Sequence, residues 1–245
     1  MSERIAVFVS GSGTNLQALM DHFPAGGAAE VALVIADRPG TRALERARGA
    51  GIPTHVIPVK SRPIAAVTAD TIDALDAAAI DLVALAGYLR LLPPDVVRRF
   101  AYRILNIHPA LLPAFGGKGM YGRNVHQAVL ASGCRITGAT VHLVNERYDQ
   151  GRIVAQWPVP VLEDDTPETL AKRVLRVEHE LYPTAVEWLA GVLRAAEGGA
   201  AEGAEAAVRR AMPLPASDTV CFSLSEGGDP DRAGIRRLFG LDQGT

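Results

Sequence analysis

The sequence has few cysteines and no apolar run long enough to cross a membrane. Its two cysteines, Cys134 and Cys221, lie far apart and in no metal-ligand spacing, which excludes a disulfide framework and is typical of the reducing cytoplasm. The most apolar segments, residues 31–36 and 80–92, are too short or too interrupted to span a bilayer. No signal-peptide pattern precedes the strand-like run at Ile5. We therefore expect a soluble cytoplasmic protein with no membrane partner.

The chain also lacks an excess of positive charge. Its formal net charge is −2 at pH 7, whereas broad nucleic-acid binding needs many Lys and Arg side chains facing phosphates. We expect small-molecule partners and no nucleic acid. Hydrophobic residues make up 48% of the 245 residues, which permits a large buried core. The sequence leaves open whether the protein is a monomer or a homodimer.

Short apolar runs alternate with amphipathic segments in the first half of the chain. Strands are predicted at residues 5–9, 31–36, 55–59, 81–86 and 103–107, and helices from about 16 and at 41–50, 64–79 and 94–100. Two further strands, 136–144 and 153–161, follow a Pro- and Gly-rich stretch. This order predicts an α/β fold with a Rossmann-like open, mostly parallel sheet and helices on both faces.

The last third of the chain is predicted to be one long helix followed by an extension. Thr166 is a good N-cap with Pro167 at the first helical position, and Pro183 is expected to break or kink the helix. After about residue 195 the composition changes to Ala, Glu and Gly. We predict a catalytic domain at residues 1–195. The extension, 196–245, is predicted to be partly disordered or to dock through the apolar patch 220–224.

A glycine-rich turn, SGSGTN at residues 10–15, connects the first strand to the first helix. Glycines allow the backbone to approach an anion, and the N–H groups of a helix N-terminus favour phosphate. A dinucleotide site would require a third glycine where this chain has Leu16, and the Gly-Lys-Ser/Thr of a triphosphate loop is absent. The turn predicts a site for one small phosphate, although such turns also occur without ligands.

The most specific motif is NIHPALLP at residues 106–113, at the end of a predicted strand. Strand alternation places Asn106 and His108 on the same side. An amide beside an imidazole can stabilise a carbonyl oxygen that becomes an oxyanion, and the imidazole adds acid–base catalysis. A single strand-end histidine is more often structural, so the prediction depends on the whole motif.

Several other polar residues have ordinary structural explanations. Asp149 lies in RYDQG, which by itself indicates a turn. His142 is expected to be a packed, hydrogen-bonded residue near the pocket, and Asp37 is expected to serve a turn or a helix start. Lys118 lies in a glycine-dense loop, residues 116–122, that is either a lid over substrate or a mobile surface loop.

The chain resembles the glycinamide ribonucleotide formyltransferases, enzymes that use 10-formyltetrahydrofolate. The resemblance covers residues 4 to about 194 and excludes the extension. It is carried by SGSGTNLQ (10–17), AGYLRLL (86–92), NIHPALLP (106–113), GATVH (138–142) and DQG (149–151), and more weakly by EH (178–179) and YP (182–183).

The resemblance implies roles for particular residues. His108 would be the catalytic imidazole, Asn106 the oxyanion partner, and Asp149 the carboxylate that raises the His108 pKa. The ribonucleotide phosphate would be held by Gly13, Thr14 and Asn15, and Glu178 would contact the polar end of that substrate. The residues implied on the folate side are Arg62, Leu89, Arg90, Leu91, Leu92 and Asn106. Transfer would be direct, with no metal and no covalent enzyme intermediate.

Three alternatives share part of this pattern. Formyltetrahydrofolate deformylases use the same Asn, His and Asp to hydrolyse the formyl group, but normally carry a regulatory domain before the catalytic one, for which a first strand at Ile5 leaves no room. Methionyl-tRNA formyltransferases carry a tRNA-binding domain after it, and the Glu-containing extension is too short for that. A non-catalytic folate or nucleotide sensor would not need Asn106, His108 and Asp149 together.

Overall fold

The computed structural model describes residues 2–60, 62–196, 201–212 and 230–241. Within these ranges the strands are β1 (Glu3–Val9), β2 (Ala29–Ala36), β3 (Thr54–Val56), β4 (Leu82–Leu85), β5 (Ile104–His108), β6 (Ile136–Leu143) and β7 (Ile153–Pro160). The helices are α1 (Thr14–His22), α2 (Arg42–Gly49), α3 (Ile64–Ala77), α4 (Pro94–Arg99), α5 (Arg123–Ser132), α6 (Pro167–Ala195), α7 (Ala201–Ala211) and α8 (Arg232–Leu238).

The strands form one sheet in the order β3-β2-β1-β4-β5-β6-β7. Strands β1 to β5 are parallel, whereas β6 and β7 run antiparallel to their neighbours. The strand order reverses between β1 and β4, which is where open α/β sheets form a ligand crevice at the carboxyl ends of the strands. The predicted Rossmann-like, mostly parallel sheet is confirmed.

Both faces of the sheet are buried, which explains the uninterrupted apolar strands. On β1, Ile5, Val7 and Val9 face α1, α2, α5 and α6, whereas Ala6 and Phe8 face α3 and α4. All five side chains are at most 1% exposed. Because alternate residues enter different cores, the sequence shows no polar–apolar alternation along the strand.

Helix α6 confirms one predicted end and contradicts the predicted break. Thr166 accepts a hydrogen bond from Thr169 N at 3.2 Å, and Pro167 occupies the first turn as predicted. The helix nevertheless continues through Pro183 to Ala195. A proline inside a helix costs about 3 kcal/mol, while each buried Leu or Val contributes about 1.5–3 kcal/mol. The buried stripe on either side, including Leu181 and Val186, outweighs that cost.

The described parts of the extension pack on α6. Val208 of α7, together with Ile235 and Phe239 at α8, is buried in the core that α6 shares with the sheet. Trp188 Nε1 donates to the Ala211 carbonyl at 3.2 Å. The predicted docking patch, 220–224, lies outside the described residues, and the division at residue 195 stays a prediction. Within the described ranges, no helix combines the length and apolar character that a membrane crossing requires.

Candidate active site

A cavity of about 750 Å³ opens at the carboxyl ends of β1, β4 and β5. It is lined by the turn after β1, the loop after β4, the end of β5, the loop before α5 and one face of α6. The volume lies in the range that small-molecule sites occupy. Three segments of the predicted site therefore meet at one place because parallel strands end on the same edge.

The glycine-rich turn after β1 is held from behind by residues that follow β2. The Ser10 carbonyl accepts a hydrogen bond from Arg38, the Gly11 carbonyl from Ala43 N at 3.2 Å, and the Ser12 carbonyl from the Arg46 guanidinium at 3.1 Å. With these carbonyls occupied, the turn presents the unpaired first N–H groups of α1 to a ligand. Such a group of N–H donors can hold a phosphate.

Gly13 gives this turn its shape. Its φ is +72°, and a Cβ at this position would lie 2.7 Å from the Cα and Cβ atoms of Ala43. Both facts require glycine here. Thr14 and Asn15, the next two residues, line the cavity, whereas Gly13 itself does not.

Asn15 and Glu178 form a polar pair in the cavity wall. Asn15 Nδ2 donates to Glu178 Oε2 at 2.6 Å, joining α1 to α6. Burial raises the pKa of Glu178, and the hydrogen bond from Asn15 offsets that shift only in part. Within the described part of the chain, Asn15 Oδ1 is buried without a hydrogen-bond partner. The pair thus retains hydrogen-bonding capacity for a ligand.

His108 and Asp149 lie side by side at the end of β5. His108 Nε2–H donates to the Phe115 carbonyl at 2.9 Å, and His108 Nδ1 lies 3.7 Å from Asp149 Oδ2. That oxygen also accepts from Gly117 N at 2.8 Å. Because Nε2 is occupied as a donor, Nδ1 is the nitrogen that can accept a proton, and it would do so beside a carboxylate.

Asn106 is oriented by His142, which lies on the neighbouring antiparallel strand β6. His142 Nδ1–H donates to the Leu143 carbonyl at 2.8 Å, so in the neutral ring Nε2 is an acceptor, and Asn106 Nδ2 donates to it at 3.0 Å. One amide hydrogen of Asn106 remains for a ligand. His142 is 2% exposed, as expected of a packed, hydrogen-bonded residue near the pocket.

Burial decides the direction of the His108 pKa. Burial lowers the pKa of His108 below its usual value of 6.5, while the charge of Asp149 and the hydrogen bond to the Phe115 carbonyl act to raise it. The expectation that Asp149 acts to raise this pKa agrees with its contribution, although burial outweighs that contribution. Burial also acts to raise the pKa of Asp149, but Gly117 N–H, together with His142 and His108 when a proton occupies the ring nitrogen that faces the carboxylate, lowers it below 3.8. At neutral pH the pair is a neutral imidazole beside a carboxylate.

Only part of the segment at residues 89–92 faces the cavity. Leu89 and Arg90 line it, whereas Leu92 is buried in the core on the α3 and α4 side and Leu91 is 40% exposed. Arg62 also lies outside the cavity wall, and its guanidinium pairs with Asp70 at 2.7 Å.

Asp37 lies in the bend that follows β2, which agrees with the turn alternative of its prediction. The helix start that follows is capped by Thr41, not by Asp37. In addition, Asp37 Oδ2 lies 2.9 Å from Arg90 Nε and so pairs across 53 residues with a residue of the cavity wall, a contact that the sequence did not predict.

The loop at residues 116–122 lies over the cavity. Lys118 lines the cavity, and Gly117 anchors the loop to Asp149. The structure thus places the loop against the site. Nearby, His126 lines the same cavity at 4% exposure, and burial lowers its pKa. Among the described residues, no group of three or more His, Cys, Asp or Glu side chains could hold a metal ion.

Two residues that form hydrogen bonds with the backbone next to the site were not predicted from the sequence. Thr140 Oγ1 donates to the Ala110 carbonyl and accepts from Leu112 N, which fixes the loop after His108. Tyr182 OH lies 3.0 Å from the Leu85 carbonyl, at the end of β4, and 3.0 Å from the Leu105 carbonyl within β5. The GATVH and YP strings contain both residues, but local sequence does not reveal their partners.

Comparison with known proteins agrees with this geometry. The sequence profile of the family described as formyl transferase matches residues 3–186, so the chain belongs to the formyl transferase family. It is 49% identical over 183 residues to an Arabidopsis thaliana protein named chloroplastic phosphoribosylglycinamide formyltransferase, covering 74% of this chain and 63% of that one. The chain spans about three fifths of the length of the curated plant relatives it matches.

Solved structures give the same result. The chain matches a glycinamide ribonucleotide transformylase from Geobacillus kaustophilus with a TM-score of 0.71 and 42% identity, covering 78% of this chain and 100% of that one. A formyltetrahydrofolate deformylase from Pseudomonas syringae matches at a TM-score of 0.65 and 26% identity, covering 73% and 58%. Similarity is greater to the transformylase than to the deformylase.

Proposed function

We propose that the chain transfers the formyl group of 10-formyltetrahydrofolate to the amine of glycinamide ribonucleotide, giving formylglycinamide ribonucleotide and tetrahydrofolate. The observation that carries the proposal is a single cavity lined both by the phosphate turn and by Asn106, His108 and Asp149. A phosphate held at one end of this cavity would place the rest of its molecule against the Asn–His–Asp group. The names of the relatives support the same substrates.

The catalytic roles follow from the hydrogen-bond directions. The substrate amine attacks the formyl carbon, and the free amide hydrogen of Asn106 stabilises the oxyanion that forms. His108 Nδ1 accepts the amine proton, directly or through water, and the charge of Asp149 stabilises the resulting imidazolium. The proton then passes to the folate nitrogen as its bond to the formyl carbon breaks. This sequence needs neither a metal nor a covalent enzyme intermediate.

The two substrates would occupy opposite ends of the cavity. The backbone of Thr14 and Asn15, in the turn shaped by Gly13, would hold the ribonucleotide phosphate, and Glu178 would accept hydrogen bonds from its polar groups. Leu89 and Arg90 would form the folate side. The pair Arg62–Asp70 lies apart from the cavity wall, so Arg62 has no role in this assignment.

The setting we propose is the cytoplasm, with small-molecule partners and no nucleic acid or membrane. The two cysteines and the net charge of −2 support that placement. The assembly we propose is a monomer or a homodimer.

An absorbance assay with 10-formyltetrahydrofolate, run with and without glycinamide ribonucleotide, tests the proposal. We expect tetrahydrofolate to form only when the ribonucleotide is present. Formation of tetrahydrofolate without an acceptor would identify a deformylase. Binding of folate with no turnover in either arm would identify a non-catalytic sensor.

A further inference from the structure

A buried carboxylate fixes the arginine of the folate side. The Asp37 side chain at the end of β2 is 2% exposed, and its Oδ2 lies 2.9 Å from Arg90 Nε. Asp37 itself does not line the cavity, whereas Arg90 does and is 29% exposed. Among the described residues, the two terminal nitrogens of Arg90 have no partner. The contact therefore holds the guanidinium by its inner nitrogen and leaves the outer two for a ligand.

A second contact ties the backbone of the same loop to the first strand. Ser10 is fully buried, and its Oγ accepts a hydrogen bond from Leu89 N at 3.0 Å. The Ser10 carbonyl is in turn held by Arg38, the residue after Asp37. Ser10 also begins the phosphate turn. The end of β2 thus holds both the phosphate turn and the folate-side loop.

We propose that Asp37 and Ser10 are positioning residues for the formyl donor. Asp37 fixes the Arg90 guanidinium, and Ser10 fixes the backbone at Leu89, so that both present donors to the carbonyl or carboxylate groups of a reduced folate. This inference rests on the proposed function. Neither residue touches the reacting atoms, so both act through the loop that follows β4.

Positioning and net electrostatic attraction make opposite predictions for Asp37. If Asp37 fixes geometry, Asp37→Ala weakens folate binding, and Asp37→Asn, which keeps an oxygen acceptor for Arg90 Nε, restores much of it. If the carboxylate mainly cancels the charge of Arg90, both substitutions strengthen the binding of an anionic folate. The pair of variants therefore separates the two roles.

The kinetic signature should be confined to one substrate. We expect Asp37→Ala to raise the KM for 10-formyltetrahydrofolate about tenfold, equivalent to about 1.4 kcal/mol. Ser10→Ala should raise it about fivefold, and Asp37→Asn less than threefold, with the ribonucleotide KM changed less than twofold. In an Arg90→Ala background, Asp37→Ala should not raise the KM for 10-formyltetrahydrofolate further, because Asp37 acts through the Arg90 side chain.

The control variant is Thr71→Val, which removes a buried hydroxyl in α3 that bonds only to the Val67 carbonyl among the described residues. Thr71 is 2% exposed and does not line the cavity. A general loss of stability lowers the fraction of folded enzyme, and therefore the apparent kcat, in the control and in the Asp37 variants alike, but leaves both KM values nearly unchanged. Equal changes in both KM values for Asp37→Ala would overturn the positioning role.

Calorimetric binding of tetrahydrofolate to the full chain is the decisive experiment. The expected result is tight binding by wild type, about tenfold weaker binding by Asp37→Ala, and recovery in Asp37→Asn. If Asp37→Ala does not fold, Ser10→Ala provides the same readout. If Asp37→Ala and Ser10→Ala both bind tetrahydrofolate as tightly as the wild type does, the positioning inference is overturned and the proposed function is not. Wild type that does not bind tetrahydrofolate overturns the proposed function together with it.

Discussion

Replacing Asp149 by Asn should lower turnover and shift the pH profile at the same time. Asp149 Oδ2 lies 3.7 Å from His108 Nδ1, with side chains that are 12% and 4% exposed. The amide oxygen of Asn can still accept from Gly117 N, so the loop stays anchored while the charge is lost. The substitution therefore isolates the electrostatic contribution of Asp149 to the imidazolium.

The expected magnitude follows from the separation of the two charges. At about 4 Å and an effective dielectric constant of about 20, the interaction is worth about 4 kcal/mol, or a factor of up to about 10³. Because the site is partly open to solvent, we expect kcat to fall by about 10²–10³. The assay is steady-state formyl transfer at saturating concentrations of both substrates.

The pH profile adds an independent signature. Burial already lowers the pKa of His108, and Asp149 opposes that shift, so removing the charge lowers the pKa further. If His108 acts as the base, kcat/KM rises with pH through this pKa, and the acidic limb of the profile should move to lower pH in the variant. If the acidic limb stays in place or moves to higher pH, or if kcat falls less than threefold, the charge of Asp149 does not stabilise the His108 imidazolium as described.

Three further predictions follow from the structure. His108→Ala should lower kcat by about 10²–10⁴ yet leave ribonucleotide binding nearly unchanged in calorimetry; an equal loss of binding would contradict its assignment as the base. Gly13→Ala should raise the ribonucleotide KM, because the added Cβ would clash with Ala43. The control is Gly26→Ala, at φ +76° in open space, which should lower the free energy of unfolding in urea by only about 1–2 kcal/mol and leave the KM unchanged. Burial lowers the pKa of His126, so the unfolded chain binds more protons below pH 6.5 and the free energy of unfolding falls with decreasing pH. His126→Gln should make this fall with pH less steep, and an unchanged pH dependence would exclude a contribution from His126.

The sequence predicted the elements of the site that depend on local pattern. The strand alternation, the turn before α1 and the NIHPALLP motif each placed a functional segment at the end of a strand, and parallel strands bring such ends together. Asn106 and His108 could be assigned a common side from spacing alone. The catalytic role of Asp149, in contrast, was predicted only from the family resemblance, because its local sequence indicates a turn.

Interactions between distant segments could not be predicted. The pair Asp37–Arg90 joins the segment after β2 to the loop after β4, two strands separated by β1, and no local pattern reveals it. The net direction of the His108 pKa could not be predicted, because burial, a tertiary property, outweighs the neighbouring charge. Of the two alternatives predicted at Pro183, a break or a kink, the break does not occur, since the burial of α6 exceeds the local cost of the proline.

The fate of the formyl carbon distinguishes transfer to the ribonucleotide from hydrolysis. Wild-type protein would be incubated with 10-formyltetrahydrofolate labelled with ¹³C in the formyl group, together with glycinamide ribonucleotide, and the products identified by mass spectrometry. We expect the label to appear in formylglycinamide ribonucleotide in amounts equal to the tetrahydrofolate released. Label recovered as formate, with unmodified ribonucleotide, would contradict this expectation.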